Sequence, residues 1–277
     1  MIDLPPEGAT FEQFLASVRL PAWLPQVLRT LYDGQDPDTA ARWGRRIVEC
    51  TGTVPFAVVH DWQTRTVVPM MAGTDEAAAG TAQPQAGTDE PAAGADEPEG
   101  TATPAAVQLR QLHGRAAAGD RFDEADWRAA IEPVLRQLYR DAYGYAAAYA
   151  TAHASASAYA SANNFSPDGA VRFADSYAAD STEANRQSYA EANAVAVAGM
   201  LAAAYASDDA DAYAEAYPFA LLHACAHAAA NRAAAAGQAE APGQAPDQAE
   251  GADDTARRQA GYARLADGLT DSLTLLG

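Results

Sequence analysis

The sequence predicts a mainly α protein: an Ala-rich helical bundle preceded by a small α+β N-terminal unit and a disordered linker. Three observations predict it. Ala makes up roughly a quarter of the chain, far above ordinary usage, and Ala is the best helix former. In the second half, Phe122, Trp127, Ile131, Val134, Leu135, Leu138 and Tyr139 recur at near-helical spacing. Between Arg65 and Arg110 lies a stretch with no basic residue, built mostly of Ala, Gly, Thr, Pro, Asp and Glu.

Residues 1–71 are read as the α+β unit. Thr10 and Gln13 have capping-box spacing and open a helix with Phe11, Phe14, Leu15 and Val18 on its apolar face. Pro21 and Pro25 interrupt it. A second helix runs from about Pro25 to Tyr32 and ends near Gly34. Asp36 and Pro37 then supply an N-cap and a first-turn proline for a third helix that ends near Gly52. The run from Thr53 to His60 is β-branched and aromatic. It predicts a strand, with Asp61–Thr64 as the turn and Arg65–Val68 as the return strand of a hairpin.

Residues 72–104 are expected to be a disordered acidic linker, because such a composition buries too little apolar area to offset ordering entropy. Residues 105–237 are the bundle. Thr103 and Pro104 cap its first helix, and Asp120 or Asp123 opens the next. That helix is expected to break near Gly144, since an unbroken course to Asn163 would be roughly 60 Å long. Asn163 to Asp168 stops one helix and starts another. Asp180 and Glu183 predict a further start, Ser207–Asp209 a further boundary, and Pro218 a kink. Residues 238–252 are expected to be a second disordered linker. Residues 253–277 form an amphipathic helix carrying Tyr262, Leu265, Leu269, Leu273 and Leu276 on one side.

From Ala146 to Ala162 every even position is Ala. Period two is the signature of a strand. Ala is nevertheless depleted in strands, and the segment is longer than ordinary strands of about 5–6 residues. The prediction here is helix, with low relief on every face and Tyr145, Tyr149 and His153 as a ladder four residues apart. Small-residue interfaces bury little area per residue. Stability therefore leans on Tyr and Leu anchors and on self-association.

Composition also excludes whole classes of chemistry. All 18 basic residues are Arg, and there is no Lys. A P-loop, a protein kinase and pyridoxal phosphate or Schiff-base catalysis each require a lysine. Ala, Gly, Pro and Arg abundance with scarce Ile reads as the coding bias of a high-GC bacterium. A net charge of −19 and a pI near 4.4 repel phosphate backbones, so no nucleic-acid partner is expected. Cys50 and Cys225 cannot build a disulfide framework or a CxxC site. The first residues carry acid and proline where a signal peptide carries base and an apolar run. No apolar stretch reaches about 18 residues, so no membrane partner is expected, and the reading is a cytoplasmic protein.

The sharpest chemical pattern is His223-Ala-Cys225-Ala-His227. Two His four apart on a helix point the same way and can hold a transition metal or haem iron. The third ligand would be His153 or a carboxylate such as Glu191 or Glu215, the last lying on the stripe Glu215, Phe219, His223, His227. The pattern lacks the general base of HExxH, and no cofactor is required by it. Asp208, Asp209 and Asp211 are read as an N-cap with helix-dipole charges rather than a cation loop. The functional expectation is a non-enzymatic protein-interaction or assembly protein with a protein partner or self-association. The alternatives are a metal- or haem-binding bundle enzyme using His223 and His227, and a helical small-molecule binding protein.

Overall fold

The computed structural model describes residues 11, 13, 15, 20–50, 54–74, 103–240 and 250–277. Among these it is helical throughout, without strands. The greater part of both expected linkers, residues 75–102 and 241–249, lies outside the described residues, as does most of the expected first helix.

In chain order, α1 is Leu24–Gly34, α2 Pro37–Cys50 and α3 Ala57–Trp62; a π-helical turn, Gln63–Val67, leads into α4, Val68–Ala72. Asp36 Oδ1 accepts the Thr39 amide at 3.0 Å and caps α2 as the sequence predicts. The α+β expectation for residues 1–71 fails at the predicted hairpin. Thr53 lies outside the described residues, and the rest of the segment, 54–68, is not a pair of strands: from Ala57 onward it is α3 and the π turn. Val58, Val59, His60, Trp62, Gln63, Thr66, Val67 and Val68 are all buried. Asp61, Thr64 and Arg65, the half-buried and exposed positions, do fall at the helical spacing i, i+3, i+4, but they are few against the β-branched and aromatic run around them. A β-branched run in that setting imitates a buried strand, and packing overrides propensity. The wider π turn falls just before Pro69, whose ring cannot sit against the carbonyl four residues back.

The bundle follows. Helix α5 is Pro104–Ala117, capped by Thr103 and stopped at Gly119 with φ +101°. Helix α6, Glu124–Ala142, is capped by Asp123, which accepts the Asp126 amide at 2.8 Å. The chain breaks at Tyr143 and Gly144, where a break is expected, and α7 runs Tyr145–Ala162. The alternating alanines are thus helical. Ser166 and Pro167 open α8, Pro167–Ser207, whose 41 residues span about 60 Å. No new helix starts at Asp180. Ser181 and Thr182 bond back to the carbonyls of Tyr177 and Ala178, at 2.7 and 2.6 Å, and Glu183 pairs with Arg186. These polar groups are satisfied inside the helix instead of capping a new one. Helix α9 is Ala210–Glu215. Pro218 opens α10, Pro218–Glu240, rather than kinking it, and α11 is Glu250–Leu276.

Helix α8 is the spine. It packs on α6 over one part of its length and on α7 over another. Its buried stripe steps by four: Ala174, Ala178, Thr182, then Ala190, Ala194, Ala198 and Ala202. Arg186 sits at the junction and donates to the carbonyls of Arg140 and Tyr143, both at 2.9 Å, while Asn231 of α10 donates to Asp141 and Ala142. These bonds satisfy the open carbonyls at the end of α6.

One continuous core joins α1–α4 with α5, α6, α10, α11 and the C-terminal half of α8. Helix α11 lies against α1, α2, α3 and α10. Trp62 Nε1 donates to the Leu265 carbonyl at 3.0 Å, and Trp43 Nε1 donates to the Ala266 carbonyl at 3.0 Å and to Thr270 Oγ1 at 2.9 Å. The approach is close enough that a Cβ on Gly268 would overlap Thr66, and one on Gly34 would overlap the Tyr262 ring. No described helix is long and apolar enough to cross a membrane.

Candidate functional site

Two histidine clusters organise the polar side chains. The first contains the sequence-predicted pair. His223 and His227 lie one turn apart on α10 and line a cavity of about 790 Å³ between α1, α10 and α11. Its other walls include Gln26, Arg29, Thr30 and Asp33 of α1, and Arg258 and Tyr262 of α11. The Tyr262 hydroxyl bonds His223 Nδ1. Burial pushes the Tyr262 phenol up to about 12, so it keeps its proton. Burial also lowers the pKa of His223, and burial followed by the Arg258 charge lowers that of His227. The Tyr262 hydroxyl and Nδ1 of the His223 imidazole share one hydrogen bond, and Nε2 is the ring's other polar atom. Arg258 is held by Asp254 and by Thr255 on its own helix turn.

The proposed third ligands are not brought to this cavity. His153 stands on α7 with Nε2 3.2 Å from Asp175 of α8. Glu191 is bound by Arg136 at 2.6 Å. Glu215 ends α9, and Tyr217, at φ +52°, breaks the stripe that would have carried it onto the His223 face. Among the described residues, no group of three or more His, Cys, Asp or Glu is placed to hold a metal ion. Cys225, between the two histidines, faces the core, where burial pushes its thiol up to about 12.

The second cluster has no counterpart in the sequence reading. His60 of α3 and His113 of α5 are each 1% exposed, with Nδ1 atoms 3.0 Å apart. His60 Nε2 lies 3.0 Å from Asp208 Oδ1, and Arg121 pairs with the other Asp208 oxygen. A carboxylate only accepts, so His60 carries its proton on Nε2. Its Nδ1 then accepts, and His113 donates from its own Nδ1. Trp127 stacks on His60 at 5.5 Å with planes 4° apart, and Tyr205 packs edge-on to His113 at 4.7 Å. Burial lowers both histidine pKa values, that of His113 far below the ordinary 6.5; for His60, Asp208 works in the opposite direction. Trp127 Nε1 is buried without a hydrogen-bond partner.

Asp208 holds this chain of bonds from a left-handed backbone, φ +51°, at the end of α8. Its neighbour Asp209 caps α9 by accepting the amides of Asp211 and Ala212, which is the capping role read from the sequence. Sequence reasoning misses His60 and His113 because each stands alone, 53 positions from the other, in no motif. Chemically the chain Asp208–His60–His113 is a polar staple tying α3, α5 and the α8 terminus under a roof of aromatic rings.

No family model, curated protein or solved structure matches the chain.

Proposed function

We propose that this is a non-enzymatic assembly protein, and that it pairs with a second copy of itself through the α7–α8 hairpin. The observation that carries the reading is the state of α7. Among the described helices its main neighbour is α8, against which it packs along its length through Ala148, Ala152, Ala156 and Ala160. None of the buried residues of that interface belongs to the main core. The remaining surface of the hairpin carries exposed rings among small and charged residues. Tyr145, Tyr159, Phe165 and Tyr177 are 52%, 58%, 43% and 45% exposed. Ser155, Ala156, Tyr159, Phe165, Phe173 and Tyr177 surround a mostly apolar hollow of about 400 Å³, room for an aromatic ring from a partner.

Charge selects the partner. The chain carries −19, so two copies repel over most of their surface. Helix α7 has no Asp, Glu or Arg over its 18 residues. It is the neutral side of the hairpin, and a second copy meets like charge only at the exposed acids of the neighbouring α8, Asp168, Asp175, Asp180 and Glu183. Two such hairpins placed face to face complete a four-helix arrangement around a two-fold axis.

Sedimentation equilibrium of the full chain over a wide concentration range tests this. The expected outcome is a dimer. Tyr159→Ser/Phe165→Ser/Tyr177→Ser, which alters exposed or half-exposed rings, is expected to give a monomer of unchanged helix content. A wild type that stays monomeric throughout, or a variant that dimerises equally well, overturns the proposal.

A further inference from the structure

We infer that the cavity between α1, α10 and α11 binds a small molecule bearing an oxyanion, a phosphate or carboxylate group, through Arg29 and Arg258 with His223, His227 and Tyr262 beside them. The cavity shares no residue with the hairpin surface, so this inference stands apart from the assembly reading. At about 790 Å³ its volume falls within the roughly 300–1,000 Å³ of small-molecule sites.

The chemistry of the lining is unlike that of the chain. The protein has 18 Arg against 37 acids, with five His. The cavity gathers Arg29, Arg258, His223 and His227 against Asp33 alone, with Asp254 reaching Arg258 from α11. Two guanidinium groups thus meet two carboxylates, an even balance where the chain as a whole carries about two acids for each Arg, so an anion meets less repulsion and more N–H donors here than over the rest of the surface. Guanidinium groups match the planar, two-oxygen edge of a carboxylate or phosphate.

The histidines add two imidazoles to the lining. The Tyr262 hydroxyl holds His223 Nδ1, which leaves Nε2 as the ring's remaining polar nitrogen, a donor whenever Tyr262 supplies the shared proton. Gln26 and Thr30 add neutral hydrogen-bonding groups, and Ala22 and Pro25 add an apolar edge for the body of a ligand. The cavity draws on both sides of the core, since α1 precedes the expected linker and α10 and α11 follow it. A ligand seated there would clamp the three helices together.

Calorimetric titration of the full chain tests the inference, using inorganic phosphate in one arm and succinate in the other, at constant ionic strength set by chloride. Saturable binding of either anion is expected, and the arm that binds identifies phosphate or carboxylate as the recognised group. Arg29→Gln and Arg258→Gln are each expected to weaken it by about tenfold or more, the loss of one charge-assisted pair. His223→Gln, which keeps a donor at a similar reach, is expected to weaken it less. No binding of either anion overturns the inference, as does binding that survives both arginine substitutions. Zinc binding that depends on His223 and His227, with no anion binding, replaces it with a metal site.

Discussion

At the scale of single residues, the consequential feature is a pair of histidines held neutral. His113 donates from Nδ1 to His60 Nδ1, and His60 donates from Nε2 to Asp208. His113→Leu leaves the His60 Nδ1 lone pair buried without a donor, a loss of about 1–3 kcal/mol. That loss is expected in urea unfolding at neutral pH. The same pair sets a pH dependence whose sign follows from burial. Both folded pKa values lie below the unfolded value of about 6.5. The unfolded chain therefore binds protons first as the pH falls. The contribution of the neutral pair is full above pH 6.5 and is lost progressively on acidification below it. His113→Leu removes one of the two titrating groups, so its stability should fall less steeply than wild type below that pH. Parallel pH profiles for the two proteins would show that His113 is not held neutral. None of this is legible in the sequence, where the pair His223 and His227 has a spacing to read and the pair His60 and His113 has none. The His223 pair was found because helical periodicity alone puts both rings on one face.

At the scale of elements, caps and breaks were the most legible feature, because each is set by a few local side chains. Asp36, Thr103, Asp123, Ser166 and Asp209 all cap the helices that follow them. The failures came where tertiary contact decides. The segment Val58–Val68 buries most of its side chains against other helices, and Asp180–Glu183 is satisfied within α8. The approach of α11 to the π turn belongs to the same kind. Gly268 faces Thr66 so closely that a Cβ would overlap the threonine's own Cβ and branches, which have no flexible chain to swing away. Gly237 on α10 has nothing within 4 Å of its missing Cβ. Gly→Ala within a helix ordinarily stabilises by about 0.8–1.0 kcal/mol. Gly237→Ala is expected to gain a good part of that. Gly268→Ala is expected to lose about 1–3 kcal/mol from overpacking. Thermal unfolding of the two variants should thus move in opposite directions. A stabilised Gly268→Ala would mean that α11 does not lie this close to α3 and the π turn.

At the scale of the whole molecule, α11 packs on α1, α2 and α3. The sequence reading places an N-terminal unit before one linker and α11 after another, and nothing in their residues states that they meet. The apolar stripe of α11 is legible, but its partner is not, because a helix surface pattern identifies a buried face without naming what covers it. The structure supplies the partner: α1, α2 and α3, with Trp43 and Trp62 donating to three successive features of α11, the Leu265 carbonyl, the Ala266 carbonyl and Thr270. Tyr262, Leu265, Leu269 and Leu273 are all buried there. Each contributes about 1.5–3 kcal/mol on burial, and together they rival the whole net stability of an ordinary domain, about 5–15 kcal/mol. A chain ending at residue 249 should therefore lose more than its final helix. Trp43 and Trp62 become exposed with their N–H groups unpartnered, and the tryptophan emission should shift to the red. Helix content by circular dichroism should fall by more than the share of α11, and the urea transition should broaden. Adding a peptide of residues 250–277 should restore the sharp transition, since the groove that receives it is formed by the rest of the chain. A shortened chain that unfolds as sharply and at the same urea concentration as the full one would mean that α1–α4 stand as a unit without α11, and that the boundaries read from the sequence divide the molecule more deeply than its shared core implies.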